Sequence, residues 1–189
     1  MPTFTLVAGP NGSGKSTLTA VVTFEGGFNV VDADAIARVL DPELPARAAI
    51  AAARQAILQC RTLLDNRESF TLESTLAGHG ALSLMRGAKN AGYRTLLVYV
   101  ALGDPELHIE RVRLRVAQGG HDIPDADIRR RYARSLFHAS EAMGLADEAL
   151  VLDNSGPQPE SMLRLKTGQI FWRASSLPLW VQQLALGIE

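Results

Sequence analysis

Gly9-Pro10-Asn11-Gly12-Ser13-Gly14-Lys15-Ser16-Thr17 fits the phosphate-binding pattern G-x-x-x-x-G-K-S/T without a gap. Glycines let the backbone wrap an anion with successive N–H groups pointing inward, and the N-terminus of a following helix adds positive potential. The loop from Gly9 to Thr17, with Asn11, Gly12, Ser13 and Gly14 at its centre, is therefore the expected triphosphate cradle. Lys15 is placed to reach β- and γ-phosphates, and the Ser16 hydroxyl to ligate Mg²⁺. ATP and Mg²⁺ are the cofactors this chemistry calls for. The alternative is a glycine-rich strand-to-helix turn that binds nothing. The apolar run Phe4-Thr5-Leu6-Val7-Ala8 before the loop, and the helix-compatible segment after it, argue against that alternative.

Two carboxylates are candidates for work beside such a cradle. Asp34 closes Val31-Asp32-Ala33-Asp34, with Arg38 one helical turn beyond. A carboxylate near a γ-phosphate can orient an acceptor hydroxyl and take its proton. Arg38 could orient that carboxylate or hold an anionic acceptor. The plainer reading makes Asp34 the N-cap of a helix over Ala35–Leu40. Glu73 ends the apolar run Phe70-Thr71-Leu72, where an acid is costly unless solvated, paired or liganded. It suits acceptor hydroxyls or a water of the Mg²⁺ shell, and Thr75 could donate to the acceptor.

Arg111 and Arg115 share a helix face, while Ile109, Val112 and Val116 occupy another. Guanidiniums in that position could neutralise charge on a transferring phosphoryl group. Gln118-Gly119-Gly120-His121-Asp122-Ile123-Pro124 then breaks the helix, as the tip of a mobile lid would. Arg129-Arg130-Arg131 follows, and Arg131 borders the apolar stripe Ile128, Tyr132, Leu136, Ala139 and Met143. That makes Arg131 the leading lid contact of the triplet. An RNA-binding patch is the competing view, weakly supported by three arginines and one tyrosine. His121 could contact phosphate from the lid. His79, His108 and His138 read as ordinary surface or partly buried residues, without zinc spacing.

Strand-like and helix-like segments alternate to position these groups, which predicts an α/β fold: a mostly parallel five-stranded sheet flanked by helices. Strands are expected at Phe4–Ala8, Asn29–Asp32, Phe70–Glu73, Arg94–Ala101 and Ala149–Leu152. Helices are expected at Lys15–Phe24, Pro45–Asp65, His79–Ala91, Pro105–Gln118 and Asp125–Met143. Gly26-Gly27 and Ala91-Gly92 read as helix exits. One domain over residues 1–189 is expected, with a lid around 111–134 and a C-terminal extension over 163–189. The extension contains a strand-like patch, Gln169–Trp172, and a short helix after Pro178 that carries Trp180, Leu184 and Leu186 to a sheet face or edge. In a parallel sheet ligands sit beyond the carboxyl ends of the strands, so Asp32, Asp34 and Glu73 should face the loop's mouth.

Apolar residues are 47% and charged residues 21%, which excludes a disordered chain, and a net charge of −1 offers no global attraction to nucleic acid or an anionic membrane. Lone Cys60 excludes an internal disulfide and suits a reducing cytosol; it falls on the stripe Ile50, Ala53, Ile57, Cys60, Leu64, as a core residue would. No run is apolar enough to span a bilayer, and the early strand leaves no room for a secretion signal. A cytoplasmic location is expected.

Over residues 3–157 the chain resembles the zeta-toxin family of P-loop kinases. The carriers are Gly9–Thr17, Asp32-Ala33-Asp34 with Arg38, Phe70–Thr75, Glu110-Arg111 with Arg115, Gly119-Gly120-His121-Asp122-Ile123-Pro124, Arg130-Arg131-Tyr132 and Asp153-Asn154-Ser155. The resemblance implies an ATP-dependent kinase acting on an amino-sugar hydroxyl of UDP-N-acetylglucosamine or a related UDP-amino sugar, with a protein antitoxin as partner. It assigns the base to Asp34, the second-strand acid to Glu73 and a phosphate-contacting arginine to Arg111. Arg115 and Arg131 both stand for the second arginine. Other readings are a kinase for a nucleotide, antibiotic or RNA end, a nucleotide-dependent protein-binding module, and a scaffold without catalysis.

Overall fold

A computed structural model describes residues 1–21, 29–120 and 122–188. Its framework is one sheet of order β2-β3-β1-β4-β5-β6-β7. β1 (Thr3–Ala8) lies centrally between β3 (Phe70–Ser74) and β4 (Arg94–Ala101); β2 (Val30–Asp32) pairs with β3, and β5 (Glu148–Asp153) with β4. These five strands are parallel, and every residue of β1 is buried, as a strand covered on both faces must be. The expected parallel α/β sheet is therefore present. It is extended to seven strands by β6 (Glu160–Lys166) and β7 (Gln169–Arg173), both antiparallel. β6 was not anticipated: its apolar residues Met162, Leu163 and Leu165 are interleaved with Arg164 and Lys166, a short pattern that also suits a loop.

Helices fill the crossovers. α1 (Lys15–Val21) opens directly from the glycine loop, and the expected stretch to Phe24 and the Gly26-Gly27 break lie outside the described residues. α2 (Ala33–Leu40) starts two residues earlier than the capping argument predicts, because Asp32 rather than Asp34 is the N-cap: its side chain accepts the Asp34 N–H at 2.9 Å. α3 (Pro45–Asp65) has proline in its first turn. Its buried stripe is Ala52, Ala56 and Cys60; Ile50 is 71% exposed, so the stripe drawn through it is rotated by about one residue. α4 (Gly80–Asn90) covers the same side of the sheet as α3.

α5 (Pro105–Ala117) begins with Asp104 accepting the Glu106 N–H at 2.9 Å and proline at the first helical position. α6 (Asp125–Leu145) packs on it through Ile109, Val112, Ile123 and Ile128. α7 (Leu179–Leu186) inserts Trp180 and Leu184 into the main core, whereas Leu186 is 74% exposed. Among the described residues no helix is long and apolar enough to cross a membrane.

Candidate active site

Parallel topology brings five strand ends to one edge. Register sets Val7 beside Glu73 and Asp32 beside Glu73, so the acids of β2 and β3 are direct neighbours at the mouth of the glycine loop. A cavity of about 1020 Å³ opens there. It reaches the upper end of the size of a typical ligand pocket. Its floor is Asn11, Gly12, Gly14, Lys15, Ser16 and Thr17. Asp34, Glu73 and Thr75 form one wall, and Arg111, Arg115 and Arg131 stand on the other side. These residues, all singled out from the sequence, thus line a common space, and Asp32 joins them.

The loop itself has the geometry of a cradle. Gly9, Gly12 and Gly14 take φ values of 148°, 74° and 97°, and the loop closes through Ser13 N–H to the Pro10 carbonyl at 3.3 Å. Ser13 is fully buried beneath it, and Gly9 joins β3 through its N–H to the Ser74 carbonyl at 3.2 Å. The Lys15 ammonium donates to the carbonyls of Gly9 and Pro10 at 2.7 and 2.9 Å. Burial lowers its pKa, while Asp34, Glu73 and Asp32 pull the other way. The ammonium therefore sits within the electrostatic reach of all three acids.

Glu73 is 8% exposed, and its carboxylate accepts from two hydroxyls of α1: Ser16 at 2.8 Å and Thr19. This contact satisfies an acid that would otherwise be an expensive ending for an apolar strand. Thr19 escaped the sequence reading, although its place three residues after Ser16 puts it on the same helix face. Asp32 is pushed above the usual carboxylate range, first by burial and then by the neighbouring Glu73 and Asp34.

Arg38 corrects the sequence-based pairing. Its guanidinium lies 3.7 Å from Asp32, not beside Asp34, and it does not line the cavity. With Asp32 in the cap, Arg38 lies six residues further on, between one and two turns away, and its long side chain reaches back to the cap carboxylate. Asp34 stays exposed on the first turn with its backbone N–H engaged.

Across the cavity, Arg111 donates to the Asn154 carbonyl at 2.6 Å, and the Asn154 amide donates to the Ser13 carbonyl at 2.8 Å. Arg131 reaches the loop directly, donating to the Asn11 side-chain oxygen at 3.2 Å. The other arginines of its triplet are committed elsewhere: Arg129 forms a bidentate pair with Glu106 at 2.7 and 2.8 Å, and Arg130 pairs with Asp127 at 2.9 Å. His121 lies outside the described residues. His108 and His138, read as unremarkable, are both buried and hydrogen-bonded to main chain.

The AAA_33 family model, an AAA domain, matches residues 4–136. The chain belongs to this family. A Haemophilus influenzae protein described as uncharacterized is 35% identical to this AAA_33 chain over 130 residues, covering 66% of it and 88% of the relative. Two solved structures show the same kinase-like P-loop fold. One is of the PezAT chromosomal toxin–antitoxin system of Streptococcus pneumoniae, with a TM-score of 0.63 and 15% identity over 99% of this chain and 84% of that one. The other is a gluconokinase from Sinorhizobium meliloti 1021, with a TM-score of 0.55 and 18% identity over 82% and 85%.

Proposed function

We propose that this chain is an ATP-dependent kinase that transfers the γ-phosphoryl group to a hydroxyl of a small molecule. The observation that carries the reading is one cavity shared by Lys15, Asp34, Glu73 and Arg111. Glycine-loop N–H groups and the Lys15 ammonium bind the β- and γ-phosphates. The Asp34 carboxylate accepts the proton of the acceptor hydroxyl as that oxygen bonds to the γ-phosphorus and the bond to the ADP oxygen breaks. Arg111, with Arg115 or Arg131, offsets charge on the phosphoryl oxygens in the loose transition state. The cavity is large enough for a nucleotide and an acceptor side by side.

An all-oxygen set fits a hard cation at the loop. Ser16 and Glu73 are 2.8 Å apart at the phosphate end, with Asp32 next to Glu73 in register. Ser16 would hold Mg²⁺ directly and the acids its waters; when bound, the ion neutralises phosphate charge. In the same reading residues 1–189 form one kinase domain, residues 111–134 its lid, and Thr75 and His121 further acceptor contacts.

A UDP-amino sugar such as UDP-N-acetylglucosamine is the favoured acceptor, supported by the zeta-toxin-like motifs of the sequence. The likeness to the PezAT toxin–antitoxin system supports a protein antitoxin as partner. The gluconokinase likeness favours a second reading, a sugar or sugar acid without a nucleotide. An RNA end is less well supported, because Arg129 and Arg130 are ion-paired. A cytoplasmic location is part of the same reading, supported by the demand for ATP and by the free thiol of buried Cys60. The test is acceptor-dependent ADP release with products read by mass. UDP-N-acetylglucosamine gaining one phosphoryl group supports the first reading, and gluconate or another free sugar doing so supports the second. ATP turnover that no acceptor stimulates would sink both.

A further inference from the structure

His108 sits on the first turn of α5, is 0% exposed, and plays no part in the mechanism above. Its Nε2 accepts the Leu102 N–H at 3.2 Å. A ring nitrogen that accepts an N–H carries a lone pair, so the proton of the neutral imidazole is on Nδ1. Nδ1–H therefore donates to the Asn11 carbonyl at 2.7 Å. A doubly protonated ring would set one N–H against another at Leu102, and burial independently pushes the pKa down to about 4.

The bonded carbonyl belongs to the glycine loop, and its direction matters. A loop that turns N–H groups toward an anion must turn its carbonyls into the protein, where each needs a donor. Asn11 finds His108, and Ser13 finds the Asn154 amide. Both donors connect to α5, since Arg111, one turn after His108, holds Asn154 in turn. The α5 backbone also touches the loop: a Cβ added to Gly12 would lie 2.7 Å from the His108 carbonyl. Ring contact with Tyr132 at 5.2 Å, and the Tyr132 hydroxyl on the Leu102 carbonyl at 3.2 Å, would stabilise the fold whatever the loop did. The Nδ1 bond is the part aimed at the loop.

We propose that His108 is a positioning residue of the nucleotide site: its Nδ1–H holds the Asn11 carbonyl away from the cavity and fixes the glycine loop against the Arg111 face of α5. The proposal rests on the reading of this cavity as an ATP site. Without the bond, the peptide after Asn11 is free to rotate, exchanging a donor for an acceptor beside the phosphates.

Two near-isosteric variants separate this role from simple packing. His108→Asn keeps a donor at the δ position and loses the Leu102 contact; His108→Gln keeps a polar group at the ε position and loses the Asn11 contact. Mg·ATP binding by titration calorimetry should weaken about tenfold in His108→Gln, as expected for one lost buried hydrogen bond, and much less in His108→Asn. Acceptor KM should stay unchanged in both. Equal ATP affinities, or affinities that follow thermal stability alone, would overturn the proposal while leaving the ATP site intact. A wild-type protein that does not bind ATP would overturn that site and the proposal with it. Nitrogen-15 NMR of the wild-type imidazole is independent of how either variant folds: a proton on Nδ1 supports the assignment, and a proton on Nε2 refutes it.

Discussion

On one side of the cavity the glycine loop is fastened from outside by three other segments. His108 and Arg131 meet Asn11, Asn154 meets Ser13, and Arg111 meets Asn154. On the other side Asp34 stands exposed at the start of α2, Thr75 lies in the connection after β3, and the facing surface of α3 contributes Ala49 and Ala53. Phosphate recognition demands several main-chain donors held at fixed directions, which a loop achieves only when its outward carbonyls are tied down. A wall of alanines and one exposed acid imposes no comparable geometry. Changes on the fastened side should therefore act on nucleotide and chemistry together. Changes on the α2–α3 side should separate the two.

Asp34→Asn gives the largest expected separation. Transfer should fall by about 10²–10⁴-fold with ATP affinity nearly unchanged, measured by product formation beside titration calorimetry. Full activity in that variant would remove the base from the mechanism. Lys15→Ala should cost about 10³-fold in transfer and weaken ATP as well, so the two readouts move together on the fastened side.

Acid should cost folding stability through His108 on the fastened side. His108 is held neutral, with a pKa near 4 against 6.5 for the free residue. Between those values the unfolded chain binds the extra proton and the folded one does not. The contribution is complete above about pH 6.5 and declines as pH falls toward 4, by roughly 3 kcal/mol at its limit. Denaturant unfolding across that range should show a steeper acid loss in the wild type than in His108→Asn, which isolates this group from Asp32 and Lys15. Ala53→Phe should fill the α3 wall and raise acceptor KM about tenfold, leaving ATP affinity unchanged. A rise in ATP KM instead would move the nucleotide to that wall. The smallest effect belongs to Arg38→Ala. It breaks a contact between an exposed guanidinium and the partly buried Asp32, worth about 0–1 kcal/mol in a melt, and transfer should change by no more than a few-fold.

Sequence alone exposed the elements whose pattern is local. Continuous burial of Phe4–Ala8, the proline starts of α3 and α5, and the glycine loop all announce themselves within a few residues. Convergence of Lys15, Asp34 and Glu73 followed from strand-end topology alone. What stayed hidden depends on partners distant in the chain. His108 meets Asn11 across 97 positions, and Asn154 meets Ser13 across 141. No spacing rule reports such pairs. Arg38 was misassigned because two aspartates two residues apart compete for one helix cap, and the choice between them moves the arginine's partner. β6 stayed hidden because a hairpin strand of alternating Leu, Arg and Lys is stabilised by its neighbours rather than by its own composition.

The bonds at the start of α5 limit how the molecule could close over a ligand. His108 and Arg111 anchor the first half of that helix to the loop and to Asn154. The Gly120 N–H then returns to the Arg115 carbonyl at 2.9 Å, just after the chain turns left-handed at Gly119 with φ of 88°. Of the proposed lid over 111–134, only the part beyond Arg115 would swing. The helix before that point would act as a fixed post, delivering Arg111 at the same height to every nucleotide that enters.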